Sequence, residues 1–84
     1  MGSIAFALFL QGRIMYHLMQ NVGQVVTHSK LAEDVWGEDH PGATDSLRVY
    51  IRHLREKLEA DPGNPQLILT KVGIGYMLAK PAQG

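Results

Sequence analysis

Along residues 8–21 the apolar side chains Leu8, Ile14, Met15, Leu18 and Met19 recur at three- and four-residue steps, which places them on one face of a helix. Gly12 interrupts this helix and weakens it by ~1 kcal/mol relative to alanine, and Gly23 is expected to end it. Residues 24–26 are short and β-prone and read as an extended connector. Thr27 is placed to cap a second helix, with Leu31, Ala32, Val35 and Trp36 on its inner face and Gly37 as its stop. Pro41-Gly42 marks a turn. Thr44 can cap a third helix, in which Leu47, Ile51, Leu54 and Leu58 keep helical spacing over more than three turns. Residues 60–65, with Pro62, Gly63 and Pro65, make a loop. Residues 67–70 and 76–78 then read as two short strands around Lys71, Val72, Gly73 and Ile74.

The order helix, helix, helix, hairpin predicts a mainly α chain with a C-terminal β-hairpin, the winged variant of the helix-turn-helix. At 100° per residue the apolar side chains of the third helix fall within about 60° of one another. Asp45, Arg48, Val49, Arg52 and Glu56 point the other way, with His53 and Arg55 on opposite flanks. Two arginines one turn apart match guanine edges or phosphate oxygens, and a helix of this width fits a major groove. A solvated amphipathic helix fits the same residues, with Arg52–Glu56 and Arg55–Glu59 as i,i+4 pairs. The hairpin turn carries Lys71 beside Gly73 and Gly75, which is expected to set a cation at a tip that can approach a backbone or groove closely. An ordinary hairpin with a solubilising lysine reads the same way.

Eight basic and eight acidic side chains cancel, so the total charge does not itself point to nucleic acid. Their distribution does more. Residues 1–47 hold two basic and five acidic groups, and residues 48–84 hold six and three, a balance of −3 against +3. There is no cysteine, which excludes disulfides and thiolate metal sites and fits a reducing cytoplasm. The apolar run at residues 4–10 is too short for a membrane span, which needs roughly 20 residues, and it lacks the flanks of a signal peptide. A cytoplasmic location is expected. Met1-Gly2-Ser3 reads as a cloning remnant.

Enzymatic chemistry finds no support in the chain. His17, His28, His40 and His53 are irregularly spaced, so no metal site or cofactor is expected. No activated nucleophile is present, and no catalytic residue is assigned. Gly73-Ile74-Gly75 lacks the third glycine and the following helix of a dinucleotide fingerprint. Glu33, Asp34, Glu38 and Asp39 lack calcium-loop spacing and read as a solvated face. Trp36 reads as a core anchor, or as an indole N–H offered to a phosphate from a helix end.

Taken together, Val25-Val26-Thr27-His28-Ser29-Lys30-Leu31, Val35-Trp36-Gly37, residues 47–58 and Gly73-Ile74-Gly75-Tyr76 resemble the OmpR/PhoB-type effector domain of two-component response regulators. The likeness covers roughly residues 13–79, and the order of its pieces carries its specificity. The phrasing of residues 47–51 and the ending Gly-Ile-Gly-Tyr are most similar to regulators of high-affinity potassium transport. The resemblance implies that residues 44–59 form a recognition helix in the major groove and that the wing around Lys71 reaches the minor groove or backbone. It implies that Arg48, Val49, Arg52 and His53 face bases or nearby phosphates. Trp36, Ser46, Tyr50, Arg55, Thr70 and Tyr76 match positions that touch backbone. The implied partners are double-stranded DNA, RNA polymerase through the loop at residues 37–43, a receiver domain upstream in a parent chain, and a second copy in a homodimer.

The chain also departs from the family. A four-stranded sheet normally precedes the first helix, and only about ten residues stand there. That sheet is expected to be truncated. Leu8-Phe9-Leu10-Gln11-Gly12 replaces the usual Thr-Pro-x-Glu-Phe opening, which removes the N-cap and a core aromatic, and Val72 replaces the usual wing arginine. The expected organisation is an N-terminal extension at residues 1–9, a winged-helix DNA-binding domain at residues 10–79 and a disordered tail at residues 80–84. Apolar surface on the first helix and hairpin is expected to be covered by residues 4–10 or by a second chain. The rival reading is a truncated winged helix that serves as a protein-interaction module, which has no need of a cationic Arg48/Arg52 face.

Overall fold

The computed structural model describes residues 2–37 and 41–80, and the tail at residues 81–84 lies outside the described residues. Three helices, α1 (Gly2–Gln20), α2 (His28–Trp36) and α3 (Ala43–Leu58), are joined by a small antiparallel sheet of β1 (Val26–Thr27), β2 (Ile68–Lys71) and β3 (Gly75–Leu78). The strand order is β1-β3-β2, so the expected hairpin is two strands of a three-stranded sheet. The connector ahead of α2 supplies the third strand, pairing Val26 with Tyr76 and Thr27 with Gly75. Glycine at position 75 is what admits it. A β carbon there would overlap the Val26 carbonyl oxygen and stand 2.8 Å from Thr27 Cα.

Thr27 caps α2 as expected, its hydroxyl accepting from the Lys30 N–H at 3.1 Å. Thr44 does not cap α3. The N-cap is Gly42, held at φ +76°, and no side chain closes the turn. A left-handed residue at that point lets the chain enter the helix two residues earlier than a Thr44 cap allows.

The first helix differs most from expectation. It begins at Gly2 instead of residue 8 and runs without a break through the boundary expected at residue 9. Residues 4–10 contain neither glycine nor proline, so nothing in them stops a helix. Its buried face is Leu10, Gln11, Ile14 and Leu18. Leu8 and Met19, expected inside, are exposed, as are Ile4, Phe6 and Phe9. Residues 4–10 therefore add apolar surface instead of covering it. Apolar side chains surround this helix on every side, so periodicity alone could not choose the inner face. Gln11 is satisfied in the interior by Lys57, whose Nζ donates to Oε1 at 2.6 Å.

The core lies where the helices meet the sheet. Ile14 and Leu18 of α1, Val26, Leu31 of α2, Leu47, Ile51 and Leu54 of α3, Ile68 and Tyr76 form one buried cluster. Leu58, expected to extend the α3 stripe, is 45% exposed. The helix ends there, and the Glu59 side chain turns inward in its place.

Candidate nucleic-acid interface

The core stripe of α3 fixes which side chains look outward. With Leu47, Ile51 and Leu54 buried, Arg48, Val49 and Arg52 are exposed on the opposite side. Among the described residues neither guanidinium makes a hydrogen bond or an ion pair, and the i,i+4 pairing of Arg52 with Glu56 does not form. Four residues of helix rise separate the two arginines by ~6 Å. Asp45 and Glu56 are exposed on the same side, one near each end of the helix.

One flank of α3 carries aromatic rings. Tyr50 lies 5.9 Å from Trp36 of α2 and 6.2 Å from His53, ring centre to ring centre. His53 is half-buried and lines a groove of about 310 Å³ with Glu56 and Lys57, facing Ile4, Ala7, Leu8 and Gln11 of α1. His53 is thereby turned toward α1. Ser46 is half-buried near the start of α3.

The other flank meets the wing. Arg55 donates to the Ile68 carbonyl from Nε at 3.1 Å and Nη2 at 2.8 Å, and from Nη2 to Thr70 Oγ1 at 2.7 Å. Its guanidinium also stands 5.9 Å over the Tyr76 ring. Tyr76 is only 4% exposed and belongs to the core, edge-on to His28 at 5.2 Å. The structure brings Arg48, Val49 and Arg52 together on open surface. It turns Arg55 and Tyr76 inward. Thr70 is exposed but engaged by Arg55.

The wing turn closes with the Ile74 N–H donating to the Lys71 carbonyl at 2.9 Å, with Gly73 at φ +74°. Lys71 is half-buried at its base, while Val72 at the tip is 90% exposed and Ile74 is also exposed.

Sequence reasoning missed the role of Glu59. Its carboxylate accepts from the Gln66, Leu67 and Ile68 N–H groups at 2.8–3.1 Å, drawing the loop after α3 back onto the helix end. Burial pushes the carboxyl up, but the bonds from Ile68, Gln66 and Leu67 and the Arg55 guanidinium outweigh it and hold Glu59 below its ordinary value. The trace in the sequence is an acid at a helix end just before a Pro/Gly loop. At α1 and α2, Asp34 takes Lys30 at 3.1 Å and lies 3.7 Å from His17 Nδ1. Among the described residues no three His, Asp or Glu side chains are grouped to hold a metal ion, and no helix is long and apolar enough to cross a membrane.

Two helices joined by a short turn, the second presenting its polar side, and a hairpin beside it define a winged helix-turn-helix. The family model described as "Transcriptional regulatory protein, C terminal" matches residues 10–78, and the chain belongs to that family, the OmpR/PhoB-type effector domains of response regulators. It is similar to the sensory transduction protein RegX3 of Mycobacterium tuberculosis (strain ATCC 25618 / H37Rv), 45% identical over 65 residues, covering 77% of this chain and 29% of that protein. RegX3 of Mycolicibacterium smegmatis is 43% identical over the same length, covering 77% and 28%. Among solved structures, the response regulator DrrB, a Thermotoga maritima OmpR/PhoB homolog, superposes with a TM-score of 0.75 at 34% identity, covering 84% of this chain and 32% of that one. The chain thus spans about three tenths of the length of these relatives. None of them is named for potassium transport, and that narrower likeness is not confirmed.

Proposed function

We propose that the chain binds double-stranded DNA with sequence preference, as the non-catalytic, cytoplasmic effector domain of a two-component response regulator that controls transcription. The observation that carries this reading is the Arg48/Arg52 pair, exposed and unpaired among the described residues on the outer side of α3. Residues 10–79 form the working unit. Arg48, Val49 and Arg52 read bases or the phosphates beside them, with His53 at the edge of the contact. Trp36, Ser46, Tyr50 and Lys71 lie along the duplex backbone. A receiver domain stands elsewhere in the parent protein, and RNA polymerase meets the loop at residues 37–43, of which 38–40 lie outside the described residues.

If about four phosphates are neutralised, log K falls with a slope near −3.6 against log salt. Fluorescence anisotropy with a random duplex and with a promoter-derived duplex, at low and high salt, tests this. Salt-insensitive or absent binding removes the proposal. One observation favours a second reading, a protein-interaction module. Ile4, Phe6, Leu8 and Phe9 of α1 form exposed apolar surface of the kind that marks an association site, and a second copy of the chain is the simplest occupant.

A further inference from the structure

In the order β1-β3-β2, strand β2 is an edge, and an edge strand offers unpaired backbone groups. At Ile68 both outward groups are taken by α3. The N–H donates to Glu59 Oε2 at 2.8 Å, and the carbonyl accepts from Arg55 Nε and Nη2. Arg55 Nη2 also donates to Thr70 Oγ1, two residues nearer the wing tip. Residues i and i+2 of a strand face the same way, so one guanidinium spans two successive outward positions along that edge. Thr70 pairs with Tyr76 and Lys71 with Gly75, where the wing turn begins.

We propose that Arg55, with Thr70 as its acceptor, is a positioning residue for duplex recognition: it locks the wing, and Lys71 with it, at a fixed offset from Arg48 and Arg52. The inference rests on the duplex-binding reading above and differs from it in what Arg55 does. Arg55 lies three residues beyond Arg52 on the same helix, so any slip of β2 against Arg55 is a slip of the wing against the arginine pair. Its Nε and Nη2 donors are turned onto β2, so on this reading it acts on affinity through the placement of the wing.

The test uses Thr70→Val, which keeps side-chain shape and removes the acceptor, and Arg55→Met, which keeps the stem and removes the fork. Each is combined with Lys71→Ala. Anisotropy across a salt series should show Thr70→Val binding about fivefold more weakly, the effect of one lost hydrogen bond, with the salt slope unchanged. Lys71→Ala should cost less on the Arg55→Met background than alone, because a displaced wing no longer places its lysine. Residual dipolar couplings of β2 and β3 amides in the free protein should report a changed wing orientation relative to α3 in both variants. A salt slope reduced by about 0.9 in Arg55→Met puts the guanidinium on a phosphate and overturns the inference, as do additive losses. If no duplex binds the wild type, the duplex reading fails, and the dipolar couplings still decide whether Arg55 holds the wing. An unmoved wing overturns it. Should Arg55→Met not fold, Thr70→Val carries both readouts.

Discussion

Replacing Glu59 by glutamine removes one charge and turns one acceptor into a donor, with almost no change of shape. In the wild type, Oε1 accepts from the Gln66 and Leu67 N–H groups and Oε2 from those of Leu67 and Ile68. A glutamine keeps one oxygen, so its amide must point N–H at N–H on the other side, inside a region where the residue is only 8% exposed. One bond to a charged acceptor is lost, worth about 1.5–3 kcal/mol, and a buried donor is left unsatisfied. A total of about 3 kcal/mol is expected, which for a domain of this size lowers Tm by roughly 12–24 °C.

The pH dependence separates this cause from simple misfit. Because the folded carboxyl titrates below its unfolded value of 4.5, the unfolded chain binds more protons between the two. Stability from Glu59 is therefore fully present above the unfolded value and is lost as pH falls through the folded one. Thermal melts by circular dichroism from neutral to acid pH should show the wild type losing part of its advantage over Glu59→Gln on that limb. Equal melting temperatures at neutral pH, or two acid limbs that run parallel, would refute the account of Glu59 as a charged acceptor for the loop.

Arg52→Ala should leave Tm unchanged, because the side chain is exposed and unpaired among the described residues, yet weaken duplex binding by about 1–3 kcal/mol and relax preference at one base pair; unchanged affinity and preference in a binding-site selection would remove it from the site. Gly75→Ala forces β1 away from β3, since the new methyl overlaps the Val26 carbonyl, and should cost about 3 kcal/mol in a denaturant titration; an unaffected midpoint would show that the two-residue strand contributes nothing. Sedimentation at high concentration should reveal association that Leu8→Glu, at an exposed position, converts to monomer, whereas a clean wild-type monomer would argue that the α1 surface has no partner copy.

Legibility varied with how uniquely each pattern constrained the chain. In α3 a single apolar stripe opposes a charged side, so the inner face and the outward direction of Arg48 and Arg52 could both be read. In α2 the Thr27 hydroxyl and Gly37 marked the ends that form. In α1 apolar side chains occur all round, and the stripe through Leu8, Met15 and Met19 was as regular as the one that packs. Strand β1 was legible only as a β-prone extended connector, not as a paired strand. It is two residues long, its partner is remote in sequence, and only Gly75 betrays the close approach. Arg55 and Tyr76 could not be assigned from sequence because a flank position on α3 becomes interior or surface according to where β2 runs. That location depends on Glu59, whose backbone partners no side-chain pattern predicts.

On the duplex-binding reading, the placement of charges matters more than their zero sum. Its acids are not all surface charges available to repel a duplex. Asp34 is engaged by Lys30 beside His17, Glu59 is buried on backbone N–H groups, and Asp61 accepts from the Gly63 N–H. Asp45 sits in the first turn of α3, where the helix dipole favours it. Arg48 and Arg52 of α3 have no such internal use among the described residues. Along the middle of α3 the exposed charges are Arg48 and Arg52, with Asp45 and Glu56 toward its two ends. Local placement, not the total, decides the sign that a ligand meets.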